Sequence, residues 1–240
     1  MKIIAFDSTA KAASVAVTED KKLLALYTVD NGLTQSELLL PMAESLLQSL
    51  KLTFKDIELF SCCVGPGSFT GVRIGAAMIK GLAFGRNVPC VGVSTIESLA
   101  YNLKGLDGII VPCMDARRAQ VYTAVFECKG GELKRITEDE ALPLSELCEI
   151  LKAYSDKNIY ICGDGYDVAY TALTKLGITL AETPYLLRNE NAFSCAVIAY
   201  EKYTRGEYTD DSGIAPVYLR LPQAERERIE KTKNNNIKEG

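Results

Sequence analysis

The 240-residue chain has no histidine and no tryptophan. Without an imidazole there is no Ser-His-Asp or Cys-His nucleophile pair and no His-ligated zinc site. A Ser-Lys pairing of Ser68 with Lys80 is left as a bare alternative. Basic character is lacking too: a formal charge of -4 argues against the chain gripping a nucleic-acid backbone by itself, so contact with RNA needs a partner. No apolar run approaches the roughly 20 residues that span a bilayer, and no secretory leader precedes the first strand, so a cytoplasmic protein away from membranes is expected. None of the eight cysteines forms a C-x-x-C pair. Cys62, Cys63, Cys90, Cys113 and Cys162 sit in apolar runs and read as reduced, buried hydrophobes. Neighbouring Cys62 and Cys63 point to opposite faces of a strand, which excludes joint metal ligation.

What is present centres on Gly65 to Gly85, where an apolar run, Leu59 to Val64, ends in a glycine turn and a helical apolar spacing begins. Ser68 or Thr70 is placed to cap this helix and Gly85 to close it in the left-handed conformation. Glycine inside a helix costs about 1 kcal/mol relative to alanine, so Gly71, Gly75 and Gly81 need compensation, such as close approach of another backbone at Gly71 and Gly75. Arg73 opposes the helix dipole in the first turn and should meet a carboxylate or a bound anion. A tightly packed core helix and an anion-binding helix start both fit these features.

Before this stretch, the runs Lys2 to Asp7, Ala12 to Val17 and Leu23 to Val29 predict an antiparallel meander. The capping box Thr34-Gln35-Ser36-Glu37 then opens a helix through Leu50, with Pro41 marking a kink or the true start. Its apolar stripe is wider than one buried face requires, which suits a second partner or simply broader packing on the sheet. After the glycine helix come a strand at Val88 to Val93 and a helix opened by Ser94-Thr95-Ile96-Glu97 that stops near Gly105. From Ile109 the order repeats: Ile109 to Asp115, the turn Ala116-Arg117-Arg118, Ala119 to Phe126, and Glu132 to Thr137. A helix from Leu144 to Tyr154, a strand Ile159 to Cys162, the turn Gly163-Asp164-Gly165, a helix to Leu176, a run Thr179 to Glu182 and a helix from Ala192 to Arg205 follow. The expected domains are residues 1–105, residues 106–221 and a charged tail, 222–240.

Two halves that each begin strand, Asp, turn, strand resemble the duplicated ribonuclease-H-like architecture of the actin, Hsp70 and sugar-kinase group. That likeness implies an α/β fold of two lobes, each a mixed sheet with helices. It also implies hairpin turns that hold ATP phosphates and acids that hold magnesium, here Asp7-Ser8-Thr9 and Asp115. Gly163-Asp164-Gly165 is an echo of the adenosine loop.

The string Gly65-Pro66-Gly67-Ser68-Phe69-Thr70-Gly71-Val72-Arg73-Ile74-Gly75 is long and of unusual composition. Together with Met1 to Val17, Thr34 to Met42, Asp115 to Tyr122 and Pro216 to Arg220, it resembles the TsaB family of glycoprotease-like subunits in bacterial tRNA threonylcarbamoyladenosine biosynthesis. The chain departs from the family pattern at Leu33, where relatives often carry histidine. The resemblance implies a non-catalytic scaffold for the catalytic paralogue TsaD, with the P-loop ATPase TsaE docking on the pair and tRNA reached through the complex. It implies no intrinsic cofactor, with ATP or ADP and Mg at most at a complex interface. Family members pair through their first two long helices, with TsaD or as a homodimer, which points to Leu39, Met42, Leu46, Gly71, Ile74, Gly75 and Met78 as interface and to Gly65, Gly67, Ser68, Thr70 and Arg73 as the structural motif. The alternative is a stand-alone ATP-dependent enzyme acting through Asp7 and Asp115.

Overall fold

The computed structural model describes residues 1–220; the charged tail expected over 222–240 lies outside the described residues. The first sheet is built from β1 (Lys2–Asp7), β2 (Ala13–Glu19), β3 (Lys22–Val29), β4 (Leu59–Gly65) and β5 (Cys90–Ser94) in the order β3-β2-β1-β4-β5. The two hairpins are antiparallel, while β4 and β5 add in parallel to β1. β1, β2 and β4 are buried almost throughout, as strands covered on both faces must be.

Helices α1 (Gln35–Ser49) and α2 (Phe69–Ala83) cover one face of this sheet. The Thr34–Glu37 capping box forms, and α1 runs through Pro41 unbroken. Helix α3 (Thr95–Tyr101) begins at Ser94, whose hydroxyl accepts the Glu97 N–H.

The second half repeats the plan in reduced form. β6 (Gly108–Asp115) pairs antiparallel with β7 (Gln120–Thr123) and β8 (Phe126–Lys129), and parallel with β11 (Ile159–Cys162). The expected run Ala119 to Phe126 is β7 up to Thr123 and breaks at Ala124 and Val125, where the Val125 carbonyl accepts from Ile136 and Thr137; β8 starts at Phe126 and continues past the expected end. β9 (Glu132–Arg135) and β10 (Glu140–Pro143) line the outer edge, so β1, β2, β3, β4 correspond to β6, β7/β8, β9/β10, β11. The run Thr179 to Glu182 forms no strand, and its Ala181 N–H donates to the Ile159 carbonyl at the edge of the sheet. Helices α4 (Leu144–Lys152) and α5 (Tyr166–Lys175) cover the outer face. The fold class is therefore the expected one, two mixed α/β lobes.

The lobe boundary is corrected. Helix α6 (Ala192–Thr204), expected in the second lobe, packs on the first sheet against Ile3, Ala5, Ala16, Leu59 and Cys63. Its small residues Ala192, Cys195, Ala196 and Ala199 allow the close approach. In return α3, from the first half, packs through Ile96, Leu99, Ala100 and Leu103 on Ile110, Met114 and Phe126 of the second sheet. Each half thus covers the inner face of the other's sheet. All eight cysteines are buried, as expected of small hydrophobes in apolar runs.

Candidate functional site

The two Asp-bearing hairpins meet at a cleft of about 390 Å³. Thr9, Ala10 and Lys11 of the first hairpin face Met114, Asp115, Ala116 and Arg117 of the second across it. Pro66, Gly67, Ser68 and Phe69 form its floor, with Asp164 on one side and Val217 to Arg220 on another.

The glycine turn is explained by the first hairpin. Ser68 caps α2 by accepting the Gly71 N–H at 3.3 Å, and its own N–H donates to the Thr9 carbonyl at 2.7 Å. A Cβ on Gly71 would stand 1.9 Å from the Ser8 carbonyl oxygen, and one on Gly75 2.8 Å from Ser8 Oγ. The hydroxyl of Ser8 in turn donates to the Gly71 carbonyl at 2.8 Å. The backbone expected at these notches is therefore the chain's own β1 end, which corrects the assignment of Gly71 and Gly75 to a partner surface. Leu39, Met42 and Leu46 are corrected likewise: all three are buried in the first core with Ile4, Phe6 and Val15, because their side of α1 is the side that seals the sheet. Ile74 and Met78 are half-buried at the edge of that core.

Among the described residues Arg73 meets no carboxylate. Its guanidinium lies 3.8 Å from the centre of the Phe69 ring, and Nε donates to the Tyr218 hydroxyl at 2.8 Å. The negative ring face does the work the acid was expected to do. Thr70 is exposed beside the cap, and Lys80 points to the Ser212 carbonyl, so the Ser68–Lys80 pairing does not form. Leu33 is exposed, its N–H bonded to Asn31 Oδ1.

The two acids differ. Asp7 is fully buried; Oδ1 accepts the Thr9 N–H and hydroxyl at 3.0 and 2.6 Å, and Oδ2 has no hydrogen-bond partner among the described residues. Burial pushes its carboxyl above the usual range, against the pull of those Thr9 bonds. Asp115 is partly exposed, accepts the Arg117 N–H at 2.7 Å and lies 3.5 Å from the Arg117 guanidinium. Asp164, whose Oδ1 accepts the Asp115 N–H, is raised by burial and then by the charge of Asp115. Glu190, which no pattern in the sequence marks, lies buried beside Asp7 and Asp164; burial first, then those two charges, push it up to about 8.

The sugar-kinase likeness assigns both hairpin acids to magnesium, and they stand differently at the cleft. Asp7 is sealed behind Thr9 rather than lining the cleft, and among the described residues no group of three or more acids or cysteines is arranged to hold a metal ion. The cleft instead presents Lys11, Arg117 and Arg220 with Asp115 and Asp164, and its one serine is spent as a helix cap.

No helix among the described residues is long and apolar enough to cross a membrane. Residues 34–227 match the family model described as TsaD: tRNA N6-adenosine threonylcarbamoyltransferase. The chain is 32% identical to the tRNA threonylcarbamoyladenosine biosynthesis protein TsaB of Bacillus subtilis (strain 168), over 97% of this chain and all of that one. It is 29% identical to the TsaB protein of Escherichia coli (strain K12), over 92% of this chain and 95% of that one. Among solved structures, YeaZ from Pseudomonas aeruginosa superposes with a TM-score of 0.74 at 23% identity, covering 91% of this chain and 99% of that one, a likeness of fold.

Proposed function

Because the chain belongs to the TsaB family of tRNA threonylcarbamoyladenosine biosynthesis proteins, within the wider TsaD family, we propose that it is the non-catalytic subunit that binds and stabilises a TsaD-like catalytic paralogue. A TsaE-like P-loop ATPase then docks on the pair, any ATP or ADP with Mg sits at a complex interface, and tRNA is reached through the complex. The same face pairs two copies of the chain when the catalytic subunit is absent.

The observation that carries this reading is the outer face of α2. Ala77 and Gly81 are exposed there, flanked by half-buried Ile74 and Met78, and Phe84 just beyond the helix is 77% exposed. Among the described residues, nothing beyond the helix's own backbone lies within 4 Å of a Cβ built on Gly81. Unlike Gly71 and Gly75, this glycine has no internal reason to weaken the helix by about 1 kcal/mol, and a partner backbone crossing α2 supplies one. Pro41 and Ser45 are exposed on α1, the other helix of that layer. The partner surface is therefore the outer side of the two helices, not the inner side holding Leu39, Met42 and Leu46.

Reconstitution tests the proposal. Omitting this chain from the other subunits should abolish threonylcarbamoyladenosine formation, and Ala77→Arg should do the same by blocking capture of the catalytic subunit while leaving the circular-dichroism spectrum unchanged. Undiminished modification without the chain would overturn it. The cleft between the lobes keeps the stand-alone enzyme as the rival reading; tight binding and turnover of Mg-ATP by the isolated protein, measured by calorimetry, would favour that rival.

A further inference from the structure

Pro216-Val217-Tyr218-Leu219-Arg220 has no task in a scaffold reading, yet it touches both lobes. Upstream, Ile214 is buried in the first core. The Val217 N–H donates to the Val64 carbonyl at 2.7 Å, extending the end of β4. Gly65 makes room for this, since a Cβ there would stand 2.5 Å from the Val217 carbonyl oxygen. Tyr218 stacks on Phe69 with ring centres 4.7 Å apart and accepts from Arg73. Two residues later the chain is on the other lobe: Arg220 donates to the Ala116 carbonyl at 2.8 Å and to Gln120 Oε1.

What Arg220 holds is a strained turn. Arg117, Arg118 and Ala119, between β6 and β7, have φ of 67°, 55° and 56°, a left-handed conformation that side chains with a Cβ resist. Arg220 bonds both residues flanking it. The first hairpin, with no positive φ between Ser8 and Ala12, is tied at its tip from its own lobe, by Gln35 Nε2 on the Ala10 and Lys11 carbonyls. The strap also separates two hollows. On one side lies the cleft; on the other a space of about 430 Å³ lined by Gln120, Asp139, Glu140, Ala141 and Leu142 shares Leu219 and Arg220 as its wall.

We propose that Pro216–Arg220 is a latch between the lobes. Engaged, it pins the Arg117–Ala119 turn and walls the cleft; released at Arg220, it lets that turn relax and joins the two hollows into one opening. Release occurs at that end because, among the described residues, the first lobe holds the strap by main chain, a fitted glycine and a stacked ring, whereas the hold on the second passes through the Arg220 guanidinium. The latch is independent of any partner on α1 and α2.

Hydrogen–deuterium exchange on the full-length chain tests it. Arg220→Ala should speed exchange in peptides covering residues 116–121 by about tenfold or more and leave β1 and β4 unchanged, as opening of one local unit does. Arg220→Lys should give an intermediate increase, because an ammonium cannot span the carbonyl and the amide as a planar fork does. Tyr218→Ala, which loosens the first-lobe end, should speed exchange of the same 116–121 peptides and of those covering Val217, and it decides the matter should Arg220→Ala not fold. Unchanged exchange over 116–121, or a rise shared equally by the whole chain, would overturn the latch.

Discussion

The β1–β2 hairpin of the first lobe and the β6–β7 hairpin of the second share a plan and are held in opposite ways. In the first, Asp7 is sealed, Ser8 is clamped into the Gly71–Gly75 notch of α2, and Gln35 of the same lobe bonds the tip. In the second, Asp115 is partly exposed, the turn carries three left-handed residues, and its clamp, Arg220, arrives from a segment rooted in the other lobe. One half thus has a hairpin clamped within its own lobe, and the other a hairpin that its own lobe holds at Ala119, through the Leu144 N–H, and that Arg220 holds from outside. Rigidity sits beside the helix pair proposed to meet the partner; adjustability sits on the far side of the cleft.

The comparison breaks first at the glycines. Gly71→Ala drives a methyl to 1.9 Å from a backbone oxygen that cannot move without displacing β1, and should cost about 3 kcal/mol or more in urea unfolding. In the second lobe, Gly165→Ala meets the Cys113 carbonyl at 2.7 Å, a smaller overlap that should cost about 1–2 kcal/mol. Equal costs would mean the two junctions are equally rigid.

Glu190 sharpens the contrast through pH. The second half contributes this acid, and burial first, then the charges of Asp7 and Asp164, raise its folded value to about 8. Between the ordinary carboxylate range and about pH 8, the folded chain therefore keeps a proton that the unfolded chain has released, so stability falls as pH rises through that window. Raised Asp7 and Asp164 add in the same direction. Glu190→Gln removes its part, and at pH 8 the variant should exceed wild type by on the order of 2 kcal/mol, with little difference near pH 4. Thermal melts at the two pH values measure this, and a larger gain at the lower pH would refute the assignment.

The smallest effects carry opposite signs in the two hairpins. Ala10→Gly should destabilise by about 1 kcal/mol, losing a buried methyl and adding backbone freedom. Ala119→Gly, at a φ of 56°, should stabilise by about 0.5 kcal/mol by relieving the turn. Denaturation midpoints of the pair reveal whether the strain resides in the second hairpin alone.

Much of this was legible in the chain. β1 and β11 have the expected bounds, both capping boxes form or cap as expected, and Ser68 and Gly85 delimit α2 because these are local events of a few neighbouring residues. β10 was missed because its four residues show no alternation strong enough to separate a short edge strand from a loop. The break at Ala124–Val125 left no mark because both residues are apolar and buried like the strands around them. At the site, Thr9, Gly67, Ser68 and Asp115 were named and do converge. Glu190 was not, since burial of an acid in a polar segment depends on what packs over it from elsewhere.

The sequence by itself determined the elements, their order and the repeated strand, Asp, turn, strand unit, because hydrogen-bonded turns, caps and apolar periodicity act over a few residues. Tertiary structure alone decided which side of α1 is core, that Gly71 and Gly75 receive Ser8 rather than a partner, that α3 and α6 are exchanged between sheets, and that Arg220 reaches a turn about a hundred residues earlier. Those outcomes depend on which surfaces face each other, and a stripe of leucines or a pair of glycines looks the same along the chain whichever surface comes to fill it.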